Sequence, residues 1–381
     1  MNVRDSEVVC GLLKANNYEL TAKPEEADVI IFNTCSVRQH AEDKVWSEIG
    51  RVSKRYTLNA KRYPKPIIGL IGCMAQNYKE AIFEKAPQVD FVVGPSDIHR
   101  IPNIVAKLSA IRCTLYATKI WETDGEIRPE EIYHTGFYED KEHTYVVISE
   151  GCSNYCSYCV VPYVRGQLHN RDYKNILKEI EQAIDQGITK ITLLGQNVNA
   201  YESPIKGAQE HKSTSAQVNF VNLLKRVNEI QGLKEFSFIT SHPKDTSLDL
   251  FKAMADLQKL KKYLHLPVQS GSDKILQLMN RGYTRKVYFD LADNYRKIVK
   301  NGVLTTDIIV GFPGEKEEDF QDTFNLVKDI EFEAAYIFKY SPRPNTEALK
   351  FVDDVVKEEK EKRHALILDL QKKISKYKKS L

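Results

Sequence analysis

Between residues 145 and 340 the chain repeats one pattern: a short apolar run, then a longer stretch with apolar residues every three or four positions. The runs lie at about 145–149, 190–195, 235–240, 263–267, 304–310 and 334–340, and the periodic stretches near 172–186, 218–231, 247–258, 284–300 and 315–330. Short continuous apolar runs predict strands buried on both faces, and the helical period predicts helices covering them, so the strands should be parallel. A closed (β/α)8 barrel takes eight such units and roughly 250 residues. Six units therefore predict an open, incomplete (β/α)6 barrel.

The first hundred residues read as a separate, smaller α/β unit. Val29–Phe32, Ile67–Ile71 and Phe91–Val93 are short buried runs, each followed by a helical stretch, which predicts a second parallel sheet. The domain reading is 1–113 for this unit, 114–140 for a polar connection carrying Pro129 and Gly136, 141–356 for the partial barrel, and 357–381 for a basic C-terminal helix. Residues 201–218, rich in Ser, Lys, Gln and Gly, read as a surface insertion.

Composition changes this picture little. At 381 residues, 42% apolar and 28% charged, the chain is ordinary for a globular protein of two domains. It has neither a run of about eighteen apolar residues nor an N-terminus of signal-peptide character, which predicts a cytoplasmic protein without a membrane partner. The net charge of +3 is too small to establish a nucleic-acid partner. Residues 357–381 are uneven, with nine Lys or Arg against four acidic residues. Such a patch can neutralise RNA phosphates. Leu366, Leu370 and Ile374 at four-residue steps favour the plainer reading, an amphipathic helix with a solvated basic face.

The seven cysteines carry more chemistry. Cys152, Cys156 and Cys159 form a C-x3-C-x2-C run. Three thiolates so spaced can hold three irons of a 4Fe-4S cluster and leave the fourth open to a small molecule. The alternative is zinc, which wants four ligands, usually in paired units; His169 follows ten residues later with no cysteine pair beyond it. Cys35 and Cys73 fall at strand ends, where ligands gather in parallel sheets. Cys10 and Cys113 read as small buried hydrophobes. Cysteines clustered in this way fit a reducing compartment.

The run Glu150-Gly-Cys-Ser-Asn-Tyr-Cys-Ser-Tyr-Cys-Val-Val-Pro-Tyr-Val-Arg-Gly166 resembles the methylthiotransferase branch of the radical S-adenosylmethionine (SAM) enzymes. So do Leu194-Gly-Gln-Asn-Val-Asn-Ala-Tyr201, Ser241-His-Pro243, His265-Leu-Pro-Val-Gln-Ser-Gly-Ser272, Met279-Asn-Arg-Gly-Tyr283, Thr306-Asp-Ile-Ile-Val-Gly-Phe-Pro-Gly-Glu315 and Tyr340-Ser-Pro-Arg-Pro344, in order along nearly the whole chain. The resemblance implies a flavodoxin-like N-terminal domain with its first strand missing, ahead of the partial barrel. It implies a SAM-binding 4Fe-4S cluster on Cys152, Cys156 and Cys159, and an auxiliary 4Fe-4S cluster at Cys35 and Cys73. It further implies SAM-amine contacts at Gln196 and Asn197 and ribose or adenine contacts at Gln269, Ser270 and Val310, positions at which glycine-rich turn chemistry is the alternative. Arg165, with Arg171 and Arg343, is a candidate for the carboxylate of SAM or an RNA phosphate. His265 reads as a satisfied core histidine, and Tyr155 and Tyr158 as packing.

The activity so implied is addition of a methylthio group to carbon 2 of isopentenyl-adenosine 37 of tRNA, with the anticodon loop as partner, a flavodoxin or ferredoxin as reductant, and a monomer as the working form. The alternatives are methylthiolation of threonylcarbamoyl-adenosine in tRNA or of a ribosomal-protein aspartate, and a non-catalytic iron–sulfur RNA-binding protein. Two departures from the family pattern stand out. The auxiliary cluster normally takes a third cysteine, from a Gly-Cys-Gln-Met-Asn stretch where this chain opens with Met1-Asn2, and the family usually closes with an RNA-binding TRAM module where this chain stops at Leu381. Both predict a chain shortened at its two ends.

Overall fold

Four short strands, β1 (Val29–Thr34), β2 (Ile67–Gly72), β3 (Phe91–Val93) and β4 (Ile120–Glu122), pair in that order and in parallel. They belong to a computed structural model that describes residues 1–36, 39–58, 65–111, 118–125, 127–204 and 217–380. Contacts divide the chain into one unit of Met1–Thr144 with Val160–His169, and a second of Tyr145–Cys159 with Asn170–Leu381.

In the first unit β2 is buried along its whole length, as its unbroken Ile67-Ile-Gly-Leu-Ile71 run predicts. Ile68, Leu70 and Val92 pack into one cluster with Ile49 and Val52 of the helix Gln39–Leu58. The helices Asn2–Ala15 and Ile101–Ile111 pack on β1 and β2 respectively. Gly69 is required by close approach, since a Cβ there would lie 2.1 Å from the Phe91 ring.

The stretch expected as a connection behaves differently. Ile120–Glu122 is the fourth strand, and Arg128 is buried, donating to the Pro95 carbonyl and to Asp5. Polar composition suggested a linker because the partner that makes a buried Arg128 tolerable lies 123 residues away. Cys113 lies outside the described residues.

In the second unit the expected strands appear as β5 (His143–Val147, entering the unit at Tyr145), β6 (Lys190–Leu194), β7 (Glu235–Ile239), β8 (Tyr263–His265), β9 (Val303–Val310) and β10 (Ala334–Lys339). They form two three-stranded sheets, β7-β6-β5 and β8-β9-β10. A parallel bridge from Phe236 to Leu260 joins β7 to the segment entering β8, so neighbours follow chain order. The helices Tyr173–Asp185, Phe220–Glu229, Leu248–Asp256, Arg285–Ile298 and Glu317–Ile330 fall within a few residues of expectation. Four of them begin at side-chain caps: Asp172, Asn219, Ser247 and Thr284 each accept a backbone N–H of the first turn. Along β9 the residues Leu304, Thr306, Ile308 and Val310 are fully buried, whereas Asp307 and Ile309 on the other face are half-buried. The expected insertion begins and ends as an antiparallel pair, Glu202–Pro204 with Gln217–Asn219, and residues 205–216 between them lie outside the described residues.

The C-terminal helix, Lys357–Ser380, buries Ile374 of the predicted stripe, leaves Leu370 half-buried and turns the stripe's start outward. Leu366 is exposed, and Arg363, Ile367, Gln371 and Ile374 face inward. Two of these are polar because their partners are polar: Arg363 binds the Glu315 carboxylate at 2.8 Å, and Gln371 donates to the Phe332 carbonyl. No helix of the described residues is long and apolar enough to cross a membrane.

Candidate cluster sites

The three-cysteine loop is shaped by backbone that few side chains tolerate. Gly151 has φ 71° and Tyr155 φ 46°, and the Cys159 N–H closes on the Cys156 carbonyl at 2.9 Å. The segment carrying Met279–Tyr283 holds the loop from outside. Ser157 donates its N–H to the Met279 carbonyl at 3.0 Å and its hydroxyl to that of Leu278 at 2.7 Å, and Asn280 donates to the Tyr155 carbonyl at 3.0 Å. All three thiols are half-buried. Burial pushes the Cys152 thiol up, and the Asn154 N–H works against it by bonding the sulfur.

Arg281 is the residue the sequence reading left without a role. Its side chain is buried, with Nε donating to the Tyr283 hydroxyl at 2.9 Å, Nη2 to the Pro267 carbonyl at 2.8 Å and Nη1 to the Cys156 sulfur at 3.3 Å. Among the described residues no carboxylate pairs with it. His242 Nε2 lies 4.0 Å from the same sulfur. Burial, reinforced by Arg281 and Lys244, holds its imidazole far below the usual range and therefore neutral. The only sequence signal for either was membership of the Met279–Tyr283 and Ser241–Pro243 motifs.

At the carboxyl ends of β6 and β7 lie polar atoms that the protein does not satisfy. Gln196 Oε1, Asn197 Oδ1 and Ser241 Oγ are buried without a hydrogen-bond partner among the described residues. Asn197 is fixed by donating its Nδ2–H to Asp245 at 2.6 Å. Leaving each such atom unpaired costs about 1–3 kcal/mol, which a bound ligand with donors would offset. Gln269 is held at φ 72°, with its N–H on the Asp307 carbonyl and its own carbonyl accepting from Ile309.

The side chains of Ser270 and Val310 are both buried. The Ser270 hydroxyl lies 3.2 Å from that of Thr323 and accepts the Ser272 N–H, and the Val310 side chain is wholly buried. Arg171 is buried on Glu179 at 2.6 Å, and Arg343 is buried with its carbonyl accepting from Thr346. His265 is satisfied, with Nδ1 2.9 Å from the Thr305 hydroxyl and Nε2 3.4 Å from Asp307.

The second pair of cysteines is assembled within the first unit. Parallel register sets Thr34 opposite Gly72, so Cys35 and Cys73 leave adjacent strand ends together. Gly72 has φ 90°, and a Cβ there would lie 2.5 Å from Asn33 Oδ1. Cys73 is buried against Val160 and Val164. Arg165 lies here: its Nε donates to the Cys73 sulfur at 3.3 Å and its Nη2 to Asp5 at 2.6 Å. Burial alone would raise the Asp5 carboxyl, but Arg128 at 2.7 Å and Arg165 outweigh it and hold it far below the usual range.

N–H groups aimed at cysteine sulfurs, beside orphaned acceptors at strand ends, are donor chemistry that suits anionic iron–sulfur thiolates with a small molecule nearby. Comparison with known proteins gives the family. The model of the radical SAM superfamily matches residues 146–327, and that of Uncharacterized protein family UPF0004 matches residues 1–94. A radical S-adenosylmethionine methyltransferase from Kitasatospora setae shares the fold at TM-score 0.61 and 13% identity, over 90% of this chain and 70% of its own. The fold is thus the α/β fold of radical SAM proteins, with parallel sheets. A tRNA-2-methylthio-N(6)-dimethylallyladenosine synthase of Moorella thermoacetica is 39% identical over 98% of this chain and 81% of its own length, and one from Clostridium botulinum is 42% identical over 98% and 80%. The chain belongs to the family of the tRNA-2-methylthio-N(6)-dimethylallyladenosine synthases.

Proposed function

We propose that this chain is a radical SAM methylthiotransferase that adds a methylthio group to carbon 2 of isopentenyl-adenosine 37 in the anticodon loop of tRNA. In this reading Cys152, Cys156 and Cys159 would hold the 4Fe-4S cluster, which would leave one iron for SAM to bind. Gln196 Oε1 and Asn197 Oδ1 accept from the SAM amine, and Arg281 faces its carboxylate. The observation that carries this is the environment of Arg281, a buried cation with no carboxylate partner among the described residues, bonded to the sulfur of a cluster cysteine. A buried charge without a partner is costly, and an anionic ligand beside Cys156 supplies one.

When bound and reduced, the cluster supplies the electron that cleaves the SAM sulfonium to methionine and a 5′-deoxyadenosyl radical. The chain's part is to orient SAM, keep water away and receive the target base, which a single-stranded loop presents at little cost. Cys35 and Cys73 would supply two of the three cysteine ligands that an auxiliary 4Fe-4S cluster normally takes. The N-terminal sheet acts as a flavodoxin-like domain, and the six strands of the second unit as an open (β/α)6 barrel. A flavodoxin or ferredoxin fits as reductant, and the protein works as a cytoplasmic monomer.

The test is anaerobic reconstitution with dithionite, SAM and an anticodon stem-loop bearing isopentenyl-adenosine. 5′-Deoxyadenosine and the methylthio nucleoside are expected, and both vanish with Cys156→Ser. Unchanged methylthio-isopentenyl-adenosine in tRNA from a deletion strain would reject the substrate.

A further inference from the structure

We propose that Arg165 is a positioning residue for the sulfur centre at Cys35 and Cys73, acting through a hydrogen bond from its Nε to the Cys73 sulfur. The inference rests on the reading that these two cysteines hold the auxiliary cluster.

The geometry is that of a clamped fork. One edge of the guanidinium meets Cys73 at 3.3 Å, and Nη2 meets Asp5 at 2.6 Å and Asn2 Oδ1 at 3.3 Å. Asp5 is itself fixed on its other oxygen by Arg128 at 2.7 Å, and Arg128 is tied to the Pro95 carbonyl at 2.6 Å. Arg165, Asp5 and Arg128 are all buried. A planar guanidinium gripped at one edge cannot rotate, so the direction of its Nε–H is set by Asp5. Cys73 follows Gly72, whose φ of 90° and close approach to Asn33 and Thr34 leave no room for a Cβ, and its side chain packs on Val160, the N-cap, and Val164 of the same short helix that carries Arg165. One short helix thus packs on the Cys73 side chain and carries the donor that reaches its sulfur, while Asp5 fixes the donor's direction. Hydrogen bonds to cluster sulfurs raise reduction potential, and groups that orient ligands sustain metal affinity. Lysine would keep the charge at position 165 but could not bond sulfur and carboxylate in the same plane.

The test uses the full chain carrying Cys152→Ala, Cys156→Ala and Cys159→Ala, so that retained iron reports on the Cys35 and Cys73 site. After anaerobic reconstitution, iron loss to a chelator and an EPR-monitored reductive titration are compared with and without Arg165→Gln and Arg165→Lys. Both substitutions are expected to weaken iron retention by ~10-fold to ~100-fold and to move the potential to more negative values. Should either fail to fold, Asp5→Asn, which frees the fork while leaving Arg165 in place, is expected to show the same change in smaller measure. Iron retention, EPR signal and potential all unchanged in the folded variants would overturn the positioning role and leave the cluster reading intact. No iron bound with Arg165 present would overturn the cluster reading, and this inference with it.

Discussion

Arg281 reaches the sulfur of Cys156 at 3.3 Å from a site where its other donors end on the Tyr283 hydroxyl and the Pro267 carbonyl. A lone arginine at a strand-end site can serve packing or a ligand. Here the partners are neutral oxygens and one thiol, and the cation is buried, which gives an arriving anion the stronger claim.

Arg281→Lys should therefore weaken SAM binding by ~10-fold to ~100-fold, the loss expected for a charge-assisted hydrogen bond. Equilibrium dialysis of SAM against the reconstituted protein measures it. Unaltered affinity with lowered thermal stability would assign Arg281 to packing.

Gly72 stands between two cysteine-bearing turns in a backbone conformation with φ 90°, and a Cβ there would meet Asn33 Oδ1 at 2.5 Å. Gly72→Ala is expected to destabilise the protein by about 1–3 kcal/mol, combining strained backbone with a clash. Urea unfolding followed by circular dichroism reads the change; a loss below about 0.5 kcal/mol would mean that the turn relaxes without difficulty.

Asp319 sets a pH dependence. Burial pushes its carboxyl upward, but hydrogen bonds from Lys274, Ser272 and the Lys316 N–H outweigh burial and lower it below 3.8. A carboxyl lowered on folding contributes stability that is present above 3.8 and lost as pH falls through the lower folded value. Urea midpoints of the metal-free protein should drop less steeply below that pH for Asp319→Asn than for the unaltered chain. Parallel curves would remove Asp319 from the account.

The strand and helix pattern was legible because it is local. The apolar runs that become β2 and β9 need only neighbours in sequence to be read. Residues 120–128 misled because what makes them structural is a strand pairing with β3 and an ion pair to Asp5. The C-terminal helix misled for the same reason: its inward face is chosen by Glu315 and the Phe332 carbonyl, and periodicity in leucine carries no word of either.

By itself the sequence determined the chemistry on offer. Three thiols in one loop, two more at strand ends and an ordered series of motifs set the class of cofactor, since residue type and spacing are properties of the chain. Tertiary structure alone decided which arginine serves which sulfur. Arg165 lies six positions past Cys159 yet bonds Cys73, and Arg281 lies 125 positions past Cys156 and bonds it. A hydrogen bond depends on distance and direction in space, and strand register and helix packing fix these between residues that the sequence keeps far apart.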